Sequence, residues 1–157
     1  MTQPEDRVQW LTDLVRLEIL LWNRVDAGLK RSHDLPLAYF EALHMISRSP
    51  DRGLRIGDLA TLLRVTVGGT SKLVDRIGSA GLVRRVADPA DRRASRIVLT
   101  PKGRRALAAA TRTYATDLAA TLDPVLTGNQ QQQFHGLVRR LLAAADPISP
   151  EERPETG

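Results

Sequence analysis

Apolar residues recur at helical spacing along most of the chain. Over residues 5 to 31, Val8, Leu11, Val15, Trp22, Val25 and Leu29 form one stripe, and Trp10, Leu14, Leu17 and Leu21 form a second beside it. An ordinary surface helix buries an arc of roughly 100°; the two stripes together are wider than half the circumference. Such a helix needs cover on two sides, one from its own lobe and one from another subunit. Leu35-Pro36 breaks the pattern, and Pro36 opens a second helix through about Ser47, carrying Leu37, Phe40, Leu43 and His44. The run Ser49-Pro50-Asp51-Arg52-Gly53 reads as a turn.

From Arg55 to about Leu63 the spacing of Ile56, Leu59, Ala60 and Leu63 predicts a short helix, interrupted at Arg64-Val65-Thr66. Thr66 is placed to cap a third helix running to Ala80, with Thr70, Leu73, Val74 and Ile77 on its inner face and Gly81 closing it in a left-handed conformation. Two β-compatible runs follow, Leu82 to Val86 and Arg96 to Leu99, joined by a loop from Ala87 to Ser95 that contains Asp88-Pro89. Thr100-Pro101 then caps and starts a helix with Leu107, Tyr114, Leu118 and Leu122, which ends at Pro124 and Gly128. A last helix from about Asn129 carries Phe134, Leu137, Val138, Leu141, Leu142 and Ala145. The segment 146–157 has three prolines and few apolar residues, a composition that predicts disorder.

These elements predict a mainly α fold with a small β-hairpin. Residues 35–103 are expected to form a winged helix-turn-helix, flanked by the helical residues 5–34 and 104–145. The 157 residues suffice for one compact domain or two small lobes. No apolar run reaches the roughly 18 residues that a membrane span requires, and the polar, acidic start is unlike a secretion signal, so a cytoplasmic protein without membrane association is expected. The chain has no cysteine, which excludes disulfides, thiolate nucleophiles and Cys-ligated zinc.

Charge sharpens the picture. The chain carries 23 Lys plus Arg against 18 Asp plus Glu, a formal +5. Between Arg64 and Arg105 there are eleven cations and only Asp75, Asp88 and Asp91, a net +8 that leaves −3 for the rest. A polyanion site is therefore expected in the middle of the chain. Of the 23 cations 20 are Arg, whose planar fork suits phosphate oxygens and the guanine edge, although an arginine excess also follows from genomic base composition.

Helix, tight turn, helix and a hairpin with a basic loop is the order of a winged helix-turn-helix, whose second helix enters the major groove while the loop reaches the neighbouring minor groove or backbone. The candidate DNA-contacting residues are Thr66, Gly68, Gly69, Ser71, Lys72 and Arg76 on the reading helix and Arg92, Arg93 and Arg96 on the loop. Small residues at the helix start let backbone amides approach a phosphate. Taken alone, Lys72 and Arg76 also fit a solvated helix face, and each glycine a tolerated weakness of roughly 1 kcal/mol relative to Ala. The loop tips the balance, because three arginines within five residues repel one another until a partner supplies phosphates.

Leu59-Ala60, Thr70 to Ile77, Gly81-Leu82-Val83-Arg84-Arg85, Asp88-Pro89-Ala90-Asp91-Arg92-Arg93 and Leu99-Thr100-Pro101-Lys102-Gly103 together resemble the MarR family of bacterial transcription regulators. The resemblance covers roughly residues 55 to 104 and implies a homodimer, built through a helical dimerisation lobe of residues 5–34 and 104–145, that presents two winged helices to a pseudo-palindromic double-stranded operator. It further implies that Arg92 and Arg93 sit at the wing tip and that Asp91 orients the adjacent Arg. Gly68-Gly69 and Gly78 depart from the family pattern. The resemblance also implies a small aromatic or anionic effector bound between the lobes, for which Trp10, Trp22, Tyr39, His44, Asp58 and Arg104 are the candidates, near Phe40 and Met45. Trp10, Asp58, Arg92 and Arg104 are similar to the set of the urate-responsive subgroup. Core or dimer packing is the competing role for each aromatic.

His33, His44 and His135 lack the spacing of a shared metal site, so neither a metal nor another cofactor is expected. No phosphate loop, nucleophile elbow or His-Glu-x-x-His appears, and an enzyme is not expected. The expected function is a ligand-responsive, sequence-specific repressor. The alternatives are a winged-helix module that contacts an acidic protein and a non-specific architectural DNA binder.

Overall fold

The computed structural model describes residues 3–49 and 53–145. The segment 146–157, expected to be disordered, lies outside the described residues, as do positions 50–52 of the turn after the second helix. Among the described residues, six helices and three strands run in the order α1 (Pro4–His33), α2 (Leu37–Ser47), β1 (Leu54–Arg55), α3 (Ile56–Leu63), α4 (Val67–Ser79), β2 (Val83–Ala87), β3 (Ser95–Leu99), α5 (Pro101–Leu122) and α6 (Gly128–Ala145). The chain divides into two compact units, one ending at Asp117 and the other starting at Leu118.

In the first unit, the turns form where the residues permit them. Asp34 ends α1 in the left-handed region at φ 50°, and Asp26 Oδ1 accepts the Leu37 amide at 2.9 Å, tying α1 to the start of α2. This bond, with Lys30 beside it, holds the Asp26 carboxyl below its ordinary range. Pro36 precedes α2 rather than opening it, its carbonyl accepting the amides of Tyr39 and Phe40. Thr66 caps α4 as expected, its hydroxyl accepting the Gly69 amide at 3.1 Å. Gly81 follows α4 at φ +76°.

The hairpin gains a strand that the apolar pattern did not predict. Leu54 and Arg55 pair antiparallel with Ile97 and Arg96, giving the order β1-β3-β2. Two residues are too few to show an alternation. In the other pair, Val83 faces Leu99 and Ala87 faces Ser95, so the hairpin is one residue longer at the wing end than the sequence suggested.

Leu29, Leu37, Leu43, Ile46, Leu59, Ile77 and Ile97 are fully buried and join α1 to α4 and β3 in one core. The inner face of α4 is as expected, with Thr70, Val74 and Ile77 buried. Thr100-Pro101-Lys102-Gly103 docks the start of α5 on the turn after α4. The Thr100 hydroxyl lies 2.6 Å from the Gly81 carbonyl and accepts the Gly103 amide at 2.9 Å, and Lys102 Nζ donates to the Ala80 carbonyl at 2.7 Å. A side-chain carbon at Gly103 would collide with the Leu82 carbonyl, so only glycine fits there.

On α1, the apolar residues of the N-terminal two thirds stay exposed, including Val8, Trp10, Leu11, Val15, Ile19 and Leu20. In the second unit α6 leaves Phe134, Leu137, Leu141 and Leu142 exposed. Among the described residues no helix is long and apolar enough to cross a membrane.

Candidate nucleic-acid interface

α3 and α4 are joined by Arg64, which adopts φ 55°, and by Thr66, which is extended at φ −68° and ψ 153°. Residues 65 to 69 are all exposed. A side-chain carbon on Gly68 would meet nothing within 4 Å, whereas one on Gly69 would press on the Thr66 hydroxyl at 3.1 Å. Lys72, Asp75, Arg76 and Ser79 are exposed on the outer face of α4, while Ser71 is half-buried. Asp75 is engaged by Arg85 of β2 at 3.1 Å; both partners are exposed, and such pairs contribute little stability.

The wing begins at Asp88, which lies in the hairpin loop expected from the sequence and is buried. Its carboxylate accepts Arg55 Nε at 2.6 Å and the Ala90 amide at 2.9 Å, and Arg96 Nε lies 3.0 Å away. These interactions, the Arg55 bond foremost, pull the Asp88 carboxyl down to about 2. Arg96 also donates to the Gly53 carbonyl at 3.3 Å. Its inclusion among the free cations is therefore corrected: β-pairing of β3 with β1 brings Arg96 and Arg55 to the same buried acid, 33 residues from Arg55 in sequence. The acid that orients an arginine is Asp88, and Asp91 instead braces the loop backbone, accepting the Arg93 amide at 2.9 Å. No linear spacing relates Arg55 to Asp88, and neither the turn signal of Asp88-Pro89 nor the resemblance marked Asp88 as the acid that orients an arginine.

Of the eleven cations between Arg64 and Arg105, Arg85, Arg96, Lys102 and Arg104 are held by protein oxygens. Among the described residues, Lys72, Arg76, Arg92 and Arg93 are exposed and have no ion-pair partner. The structure thus brings an uncompensated positive face to α4 and to the wing tip, the charge pattern that phosphates neutralise.

An open cleft of about 760 Å³ lies between the end of α2, the β2-β3 face and the first half of α5. Its walls offer the cationic or polar groups His44, Ser47, Arg84, Arg104 and Thr111 over an apolar floor that includes Val98 and Leu107. Phe40 stacks on His44 at 6.1 Å and on Tyr114 at 5.1 Å. Burial, then the nearby Arg48 charge, lowers the His44 pKa and favours the uncharged imidazole. Of the six effector candidates only His44 and Arg104 line this cleft. Trp10, Trp22, Tyr39 and Asp58 do not: the two tryptophans are exposed on α1, Tyr39 packs against the core, and Asp58 lies in the first turn of α3. Helical spacing put the aromatics on related turns without fixing which face each would take. Arg84, which completes the cleft, was legible as a charge on a β-compatible run, with nothing to mark it as part of the cleft. Among the described residues no cluster of His and acids has the makings of a metal site.

Known proteins share this architecture. The sequence profile of the MarR family matches residues 33–94, the winged-helix portion. Sco3205, a MarR family transcriptional regulator from Streptomyces coelicolor solved in complex with DNA, is 26% identical and superposes with a TM-score of 0.79 over 94% of this chain and 92% of that one. The winged-helix portion of the chain matches the MarR family, and the fold is of that family's winged helix-turn-helix type. That family consists of transcription regulators and not of enzymes. The transcriptional regulator BldR from Sulfolobus solfataricus is 25% identical, with a TM-score of 0.75 over 90% of this chain and 98% of that one. The HTH-type transcriptional regulator YsmB of Bacillus subtilis (strain 168) is 44% identical over 52 residues, which span 33% of this chain and 36% of that protein.

Proposed function

We propose that this chain is a MarR-type regulator: a dimeric, sequence-specific, ligand-responsive repressor that binds a pseudo-palindromic operator in the cytoplasm. The observation that carries the reading is the set of uncompensated cations, Lys72 and Arg76 on α4 and Arg92 and Arg93 on the wing, displayed on the two elements that a winged helix applies to duplex DNA. Thr66, Gly68, Gly69 and Ser71 supply the close-approach surface at the start of α4. Arg96 acts behind them through Asp88, fixing the root of the wing.

Dimerisation is supported by the exposed apolar faces of α1 and α6, each of whose large side chains would gain roughly 1 kcal/mol on being half-buried. We assign residues 5–34 and 104–145 to pairing two copies and residues 35–103 to reading DNA. The cleft beside His44, Arg84 and Arg104 fits a small anion with an apolar body, which would weaken operator binding by favouring a different spacing of the two wings.

An electrophoretic shift with the full chain on DNA upstream of its own gene tests the reading. Retention of a discrete band against excess non-specific competitor is expected. No shift at low salt refutes DNA binding, and loss of the band to competitor refutes specificity. A thermal-shift screen of small aromatic acids and purines tests the cleft, since a ligand that prefers the folded state raises Tm.

A further inference from the structure

At the start of α4 two large apolar side chains stand in solvent, Val65 at 50% exposure and Val67 at 57%. They have no reason within the fold. Val67 begins α4, where a β-branched residue is a mediocre helix former, and Val65 lies in the turn between Arg64 and Thr66. Beside them is Gly68, with open space where its side chain would stand. The surroundings are polar or cationic, with Lys72 and Arg76 further along the same helix exposed. An apolar edge set in a cationic face is complementary to one chemistry in duplex DNA, the C5 methyl of thymine in the major groove, with phosphates on either side.

We infer that Val67, supported by Val65, reads thymine methyl groups and so fixes a T at one or two positions of each half-site. The inference rests on the proposed DNA-binding function and deepens it. Val67 begins the helix whose N-terminal residues approach base edges in this motif, and Gly68 leaves the backbone unshielded so that the valine methyls and the base edge can meet. Burying one methyl against another apolar group is worth roughly fourfold in affinity.

The test begins with selection of binding sites from random duplexes by the full chain, then replaces each selected thymine by deoxyuridine, which deletes only the methyl. Wild type is expected to lose roughly fourfold at one or two thymines per half-site, while Val67→Ala loses a similar amount on the thymine site and nothing further on the uracil site. Val67→Ala should keep its Tm, because the side chain is more than half exposed; Val67→Ile, which keeps the apolar edge, should retain the sensitivity to uracil. Uracil substitution without effect at every thymine, or an effect as large in Val67→Ala as in wild type, overturns the inference while DNA binding stands. Failure to select any consensus overturns the inference together with the function on which it rests.

Discussion

Arg92 and Arg93 differ from Arg96 in a way that salt titration resolves. All three lie within five residues, yet Arg92 and Arg93 are exposed, whereas Arg96 is held by Asp88 and the Gly53 carbonyl. If each free arginine neutralises one phosphate, a dimer makes four such contacts through its two wings. At about 0.9 in the slope of log K against log salt per contact, Arg92→Ala with Arg93→Ala should lower the slope by about 3.6. Between 50 and 200 mM salt that slope corresponds to about a 150-fold smaller loss of affinity for the variant than for wild type. The variant should fold normally, since exposed substitutions of this kind usually stay within about 0.5 kcal/mol. Arg96→Ala should behave in the opposite manner, leaving the buried Asp88 with one partner fewer, lowering Tm and changing the slope little. Fluorescence anisotropy on one labelled operator at four salt concentrations, with Tm measured at fixed protein concentration, reads both quantities. A double variant with an unchanged slope, or an Arg96→Ala whose slope falls as far at an unchanged Tm, would refute this division of labour.

Other outcomes follow from the same geometry. Gly103→Ala forces a side-chain carbon onto the Leu82 carbonyl and should destabilise the chain by about 3 kcal/mol or more, at the upper end of overpacking, seen as a lower denaturant midpoint. Asp88, with its carboxyl at about 2 in the fold against an ordinary value of 3.8, contributes stability that is fully present above pH 4 and is lost as the pH falls toward 2. Thermal melts of Asp88→Asn should therefore lose less between pH 4 and 2 than those of wild type, and parallel curves would contradict the burial of a charged Asp88. Leu11→Glu with Val15→Glu places two charges on the exposed apolar face of α1 and should shift sedimentation toward the monomer; an unchanged dimer would remove that face from the proposed interface.

The sequence was most legible where one local rule decided the outcome. Thr66 and Gly81 marked the ends of α4 because capping and a left-handed turn depend on single residues, and Val74 and Ile77 showed its buried face because the helical period repeats over three turns. What escaped was non-local. β1 has two residues and exists through its pairing with β3, and that pairing delivers Arg55 and Arg96 to Asp88. A charge count could locate the basic region but could not separate Arg92 from Arg96, since only the fold decides which guanidinium finds a carboxylate. The effector candidates scattered for a related reason: the resemblance supplied residue types, while the cleft is made by α2, β2, β3 and α5 and excludes both tryptophans.

In the proposed complex two copies apply α4 and the wing to one duplex. Hydroxyl-radical footprinting of the full chain on a selected site, with the protein-to-DNA ratio measured on the same complex, decides whether they do. Two chains per duplex and two protected half-sites about 34 to 36 Å apart are the result predicted. One chain per duplex, or protection that spreads without regard to sequence, would contradict it.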